Sequence, residues 1–241
     1  SSSSSFPFPS TSSFSSPSPS PPSSSPSSSR WRSLRLFSSN DYLGMSSHPE
    51  VRAAAAAAAS RWGSGPRSSA LVCGYTHEHR VLESGLAELK RAEECLLFPT
   101  GYAVNVGIIP ALCDGPDCHV FSDALNHASI IDGCRLAARR GARVSTYPHC
   151  DVGGLEEMVE ASSARRKMIV TDSLFSMDGD FAPLKELAAL KRRHPEVMLV
   201  VDEAHATLVC GTRGGGAVEA AGVSADVDVH VGTLSKAFGS H

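Results

Sequence analysis

Short apolar, β-branched runs, each followed by a helix-forming stretch, recur from residue 95 to residue 232 and constrain the fold more than any other feature. Cys95–Phe98, His119–Phe121, Arg143–Tyr147, Met168–Thr171, Val197–Val201 and Val227–Gly232 read as strands. Helices are expected from near Gly101, over Ala128–Arg140, over Leu155–Ser162 and over Pro183–Arg193. Val197–Val201 is continuously apolar, as in a parallel strand covered on both faces. Alternation of this kind builds βαβ units, so the chain is expected to be α/β: a mostly parallel sheet with helices on both faces.

The flanks are read by their punctuation. Ser39–Gly44 reads as a turn. Pro49 opens an alanine-rich helix to about Trp62, because proline suits the first helical position and alanine is the best helix former. Gly63–Pro66 ends it, and a glycine-serine loop runs on to Gly74. A second helix covers about His77–Arg91, with Val81, Leu82, Leu86 and Leu89 as its apolar stripe. Residues 1–29 hold only Ser, Pro, Phe and Thr, too little apolar surface to offset the entropy of ordering. They are expected to be a disordered leader ahead of one domain at 30–241. An organellar transit peptide stays open for them, although its usual arginines are missing.

A net charge of −3 with no basic stripe argues against nucleic acid as a partner, and no apolar run approaches the ~20 residues needed to cross a membrane. The seven cysteines form no CxxC pair and read as reduced thiols, without a disulfide or zinc framework. His77 and His79 are two apart on a helix, so they point to different faces and cannot readily chelate a metal. Gly214–Gly216 reads as a flexible turn, and Arg165–Lys167 and Lys191–Arg193 as solvated helix ends.

The chemistry concentrates near the end of the chain. Asp202 follows the Val197–Val201 strand directly, at the carboxyl end where open α/β sheets hold ligands. A charge there needs a partner, and a protonated ring nitrogen suits it. Lys236, after the last strand and Thr233, is placed to supply a Schiff-base amine. A ring-facing aspartate with an imine-forming lysine is what pyridoxal 5'-phosphate demands of a protein. The backbone N–H groups of Gly101 and Tyr102, at a helix start, offer an anion site for the phosphate.

From about Leu36 onward the chain resembles the α-oxoamine synthases, enzymes of the aspartate-aminotransferase-like fold (fold type I) that use pyridoxal 5'-phosphate. The resemblance rests on Asn40-Asp41-Tyr42-Leu43-Gly44, Thr100-Gly101-Tyr102, Ser122–Ser129, Phe175–Asp180, Val201–His205 and Gly232–Lys236. It implies that Lys236, His127 and Asp202 are catalytic. Lys236 would hold the cofactor and then move the substrate's Cα proton, Asp202 would keep the pyridine nitrogen protonated, and His127 would lie against the ring. It further implies that His205 reaches the cofactor's phenolic oxygen, that Ser176 lies near the ring, and that Thr233 joins Gly101 and Tyr102 at the phosphate. For His127, N-capping of the next helix is the competing structural reading.

Within the family, Ser68–Glu83, Phe121–Gly133 and Thr171–Pro183 look most like plant members that condense L-alanine with pimeloyl-CoA, releasing carbon dioxide and the thiol, on the route to biotin. Other members use glycine or serine with another acyl-CoA, and some relatives are non-catalytic partner subunits; both alternatives stay open. The resemblance also implies a homodimer, with cytosol or peroxisome as compartment. The family's upstream acyl-binding arginine has no match here, and its C-terminal domain lies beyond residue 241. This chain alone is therefore expected to be inactive, and an incomplete gene product is a further reading.

Overall fold

The structure, a computed structural model, describes residues 34–240; the leader expected at 1–29 lies outside these. Residues 34–37 are exposed and without regular secondary structure. From Ser38 onward the chain forms a five-stranded sheet in the order β2-β1-β3-β4-β5, every neighbouring pair parallel. The strands are β1 (Cys118–Asp123), β2 (Arg143–Tyr147), β3 (Arg166–Asp172), β4 (Val197–Asp202) and β5 (Val229–Val231). The helices are α1 (Pro49–Trp62), α2 (His77–Lys90), α3 (Gly101–Leu112), α4 (Ala128–Arg139), α5 (Val152–Glu160), α6 (Leu184–Arg193) and the short α7 (Ala217–Ala221).

Strand periodicity divides the core into two layers, because successive side chains leave opposite faces of a sheet. Phe121, Ile169, Leu199 and Val201 pack with Leu155 and Val159 of α5 and Leu187 and Leu190 of α6. Val120, Met168, Val170 and Val200 pack with Ile109 of α3 and Ile130, Cys134 and Ala137 of α4. Helices thus cover both faces. On the α3/α4 side the two helices nearly touch. A Cβ at Gly133 would lie 2.5 Å from the Asn105 carbonyl oxygen and 2.8 Å from Ile109 Cδ1.

The order of strands reverses direction at β1, which has β2 on one side and β3 on the other. In open parallel sheets the crevice beside such a reversal, at the carboxyl ends of the strands, is where ligands bind. Asp172 and Asp202 end β3 and β4 in register with each other, and the Asp123–His127 turn leaves β1 beside them.

Five readings are corrected. Cys95–Phe98 has no regular secondary structure and forms no strand; the Leu97 N–H goes to Glu83 Oε1 at 2.9 Å in place of a ladder partner. The buried face of α2 is Glu83 and Ala87, whereas Val81 is exposed. Cys113 and Cys118 form a disulfide, because the turn through Gly115 brings their Cα atoms to 5.5 Å. Gly214–Gly216 is a turn but a pinned one: the Gly215 carbonyl accepts from Lys90 Nζ at 2.9 Å and its N–H donates to Glu219 at 2.7 Å. Arg166 and Lys167 open β3, not a helix end, and Lys167 pairs with Glu196 at 3.1 Å. Among the described residues, no helix is long and apolar enough to cross a membrane.

Candidate active site

A cavity of about 370 Å³ opens at the carboxyl ends of the strands and brings together all eight residues singled out in the sequence. Gly101 and Tyr102 come from the start of α3, His127 from the turn after β1 and Ser176 from the loop after β3. Asp202 ends β4, His205 follows it, and Thr233 and Lys236 lie in the turn after β5.

The start of α3 is an anion cradle. The first N–H groups of a helix have no intrahelical acceptor; the Thr100 hydroxyl takes that of Ala103 at 3.0 Å, leaving Gly101 and Tyr102 facing the cavity. A Cβ at Gly101 would sit 3.0 Å from Thr233 Cβ, so only glycine lets the two segments close to this distance. The Tyr102 hydroxyl turns aside to donate to Asp132, and its ring stands edge-on to His127 at 6.3 Å.

Lys236 is the cation of the site. Its Nζ lies 2.7 Å from His205 Nε2, and His205 Nδ1 lies 2.6 Å from the Tyr42 hydroxyl. One consistent tautomer has Lys236 donating to Nε2 and Nδ1–H donating to Tyr42. Burial pushes the Lys236 amine below its ordinary range, against the pull of Asp202 and Asp172. His205 is held below its ordinary range by burial, then by the Lys236 charge. A lowered lysine is one whose neutral, nucleophilic form is within reach.

Asp202 forms the floor, 6% exposed. Its Oδ1 accepts the Ala204 N–H at 2.9 Å and its Oδ2 the Asn105 side-chain amide at 2.7 Å. Asn105 also donates to Ser129 Oγ at 3.0 Å, which ties α3, α4 and β4 together beneath the cavity. His127 is itself the N-cap of α4: its Nδ1 accepts the Ser129 N–H at 3.2 Å, so the capping reading and the site reading describe one residue.

Asn105, Asp172 and Tyr42 are site residues that the sequence reading missed. Asp172 lay inside the Thr171–Pro183 stretch and Tyr42 inside its own motif, but a lone carboxyl or hydroxyl carries no spacing signal. Asn105, one helical turn after Gly101 on the same face, could have been found by that spacing.

Two other ligand-like groupings are internally satisfied. His149 places Nδ1 2.9 Å from Asp123 and Nε2 2.8 Å from Asp180, so its ring links two carboxylates and leaves no nitrogen for the ion that Asp123, His149 and Cys150 could otherwise hold. His79 Nδ1 closes a capping box by accepting the Thr76 backbone N–H at 3.3 Å, and it also meets the Thr76 hydroxyl at 2.7 Å.

With an anion cradle, a carboxylate floor and an amine, the cavity suits a phosphorylated aromatic aldehyde. Comparison with known proteins agrees with that geometry. The 8-amino-7-oxononanoate synthase of Arabidopsis thaliana is 51% identical over 226 residues, covering 88% of this chain and 47% of that protein. Serine palmitoyltransferase of Sphingomonas wittichii superposes with a TM-score of 0.79 at 38% identity, covering 84% of this chain and 50% of that one. A structure of 8-amino-7-oxononanoate synthase from Francisella tularensis gives 0.70 at 29%, over 85% and 55%. The chain spans about half the length of the curated relatives it matches. The family model for aminotransferase class I and II matches residues 33–241, and the chain belongs to that family.

Proposed function

We propose that this chain carries the cofactor-binding part of an 8-amino-7-oxononanoate synthase, which joins L-alanine to a pimeloyl thioester such as pimeloyl-CoA with loss of carbon dioxide and the thiol. The carrying observation is the convergence of Lys236, Asp202 and the start of α3 on one cavity. The donor set fits pyridoxal 5'-phosphate. Gly101 and Tyr102 N–H groups with the Thr233 hydroxyl would bind the phosphate, and the Asp202 carboxylate would face the ring nitrogen. Lys236 would hold the cofactor covalently, with Ser176 and His205 at the ring's polar edge. When bound, the cofactor supplies an electron-withdrawing ring joined to the amino acid.

The protein's part is then proton handling and orientation. Lys236 Nζ, brought toward neutrality by burial, takes the proton from the alanine α-carbon and returns one. His205 Nε2, at 2.7 Å, keeps that amine aimed into the cavity. His127 lines the cavity from the turn after β1, where it also caps α4. Homodimerisation and the acyl-binding surface belong to the same proposal.

A second reading, a relative that condenses serine or glycine with another acyl-CoA, is favoured by the structural likeness to serine palmitoyltransferase. The site reading is tested by adding pyridoxal phosphate to the purified chain and to Lys236→Ala. The wild type should develop the absorbance of lysine-bound cofactor and Lys236→Ala should not; equal spectra refute the assignment. Thiol release by the full-length enzyme, screened over alanine, serine and glycine, separates the two readings.

A further inference from the structure

Two carboxyl groups, not one, end adjacent strands at this cavity. Asp172 is the register partner of Asp202, is 7% exposed, and lines the same space. Its Oδ2 accepts the backbone N–H of His127 at 2.7 Å. Its own N–H donates to Asn126 Oδ1 at 2.9 Å, and the Asn126 amide donates in turn to the Val170 carbonyl at 2.8 Å. The turn between β1 and α4 is therefore fastened to β3 from both sides, and His127 is the residue at which the fastening ends.

We propose that Asp172 is a positioning residue: through the His127 N–H it fixes the cap of α4, and so the imidazole, against the cofactor held in this cavity. The inference rests on the cofactor reading above. An N–H of this kind, half-buried at a helix start, loses more by going unpaired than a solvated one does. No second acceptor is bonded to it among the described residues, because the helix offers its first N–H groups none.

The groups that face Asp172 make an acceptor more important here than a charge. Asp202 on β4 and Asp123 on β1 are like-charged neighbours, and Lys236 lies across the cavity. Burial first, then Asp202, pushes the Asp172 carboxyl up to about 7, while the His127 N–H and Lys236 act against this. Either form of the carboxyl keeps an oxygen that can accept from His127. Asn at this position keeps one too, and Ala or Leu does not. Leu matches the shape of Asp more closely, so it separates loss of the acceptor from loss of volume.

The test uses the purified chain, wild type, Asp172→Asn, Asp172→Ala and Asp172→Leu, with two readouts. Pyridoxal phosphate affinity and the induced circular dichroism of the bound cofactor report on ring orientation. Amide hydrogen exchange at His127 reports on the bond itself without cofactor. Ala and Leu should weaken cofactor binding by about tenfold, change the induced dichroism and speed His127 exchange by a similar factor. Asn should stay within about twofold on every measure. Unchanged dichroism and exchange in Ala and Leu would overturn the proposal, as would Asn behaving like Ala. If the wild type takes up no cofactor, the site reading falls, and the exchange measurement still decides whether Asp172 holds His127. If Ala does not fold, Leu carries the comparison.

Discussion

Lys90→Met should be among the costliest single changes outside the cavity. Lys90 Nζ donates to Glu203 Oε2 at 2.7 Å, Thr207 Oγ1 at 2.8 Å and the Gly215 carbonyl at 2.9 Å. The Glu203 side chain is 0% exposed, and that of Lys90 12%. Removing one partner of a buried pair costs roughly 3–5 kcal/mol, because a charge stays behind without its counter-ion. Glu203 would keep His230 Nδ1 at 3.1 Å and the Val218 N–H at 2.9 Å, which places the loss near the lower end, about 3 kcal/mol. For a domain of this size that is a fall in Tm of about 6–12 °C.

The assay is urea unfolding of wild type and variant, with Arg135→Ala as control. Arg135 pairs with Asp132 on the surface, 72% exposed, and its loss should cost under about 0.5 kcal/mol. The sign with pH is fixed. Burial acts to raise the Glu203 carboxyl, but His230, Lys90 and the Val218 N–H together hold it below its ordinary value. Its contribution is thus present above the unfolded carboxylate value and lost as pH falls through the folded one. The gap between wild type and Lys90→Met should narrow in acid. A loss under about 1 kcal/mol at neutral pH would refute the reasoning, as would a gap that widens in acid.

Two further outcomes follow from the geometry. Gly101→Ala should weaken pyridoxal phosphate binding by about tenfold while costing under ~1 kcal/mol of stability, because the new methyl would press on Thr233 at 3.0 Å and not on the core; cofactor titration beside thermal unfolding checks both. His119, between Ser162 and Ser145, is lowered to about 4 by burial and then by Arg143 and Lys167. The unfolded chain then binds the proton first, so stability should fall by up to ~1.4 kcal/mol per pH unit between about 6.5 and 4. In His119→Gln that slope should flatten, as read from urea midpoints across the range.

Much of the fold could be read before any coordinates because its signals are local. Val197–Val201 is continuously apolar since both sheet faces are covered, and Pro49 and Thr100 mark helix starts by their own chemistry. Cys95–Phe98 has the same apolar character but no strand, since a ladder is decided by a neighbour that the run cannot specify. Burial of Glu83 escaped the pattern for a related reason: its partners, Tyr75 and Leu97, are set by tertiary contact. Of the site, Lys236, Asp202 and His205 announced themselves by type and order. Asp172 did not, because its meaning depends on lying one strand from Asp202 and under His127.

Gly133 lies midway along α4, against the Asn105 backbone of α3, and both helices that it allows to meet start at the cavity. Bulk added there would act like a wedge driven behind a pair of jaws. The starts of α3 and α4 would be pushed apart, and with them the two walls of the cavity that they line. The width of the cavity is thereby set in part from behind it, at a residue whose whole contribution is the atom it lacks.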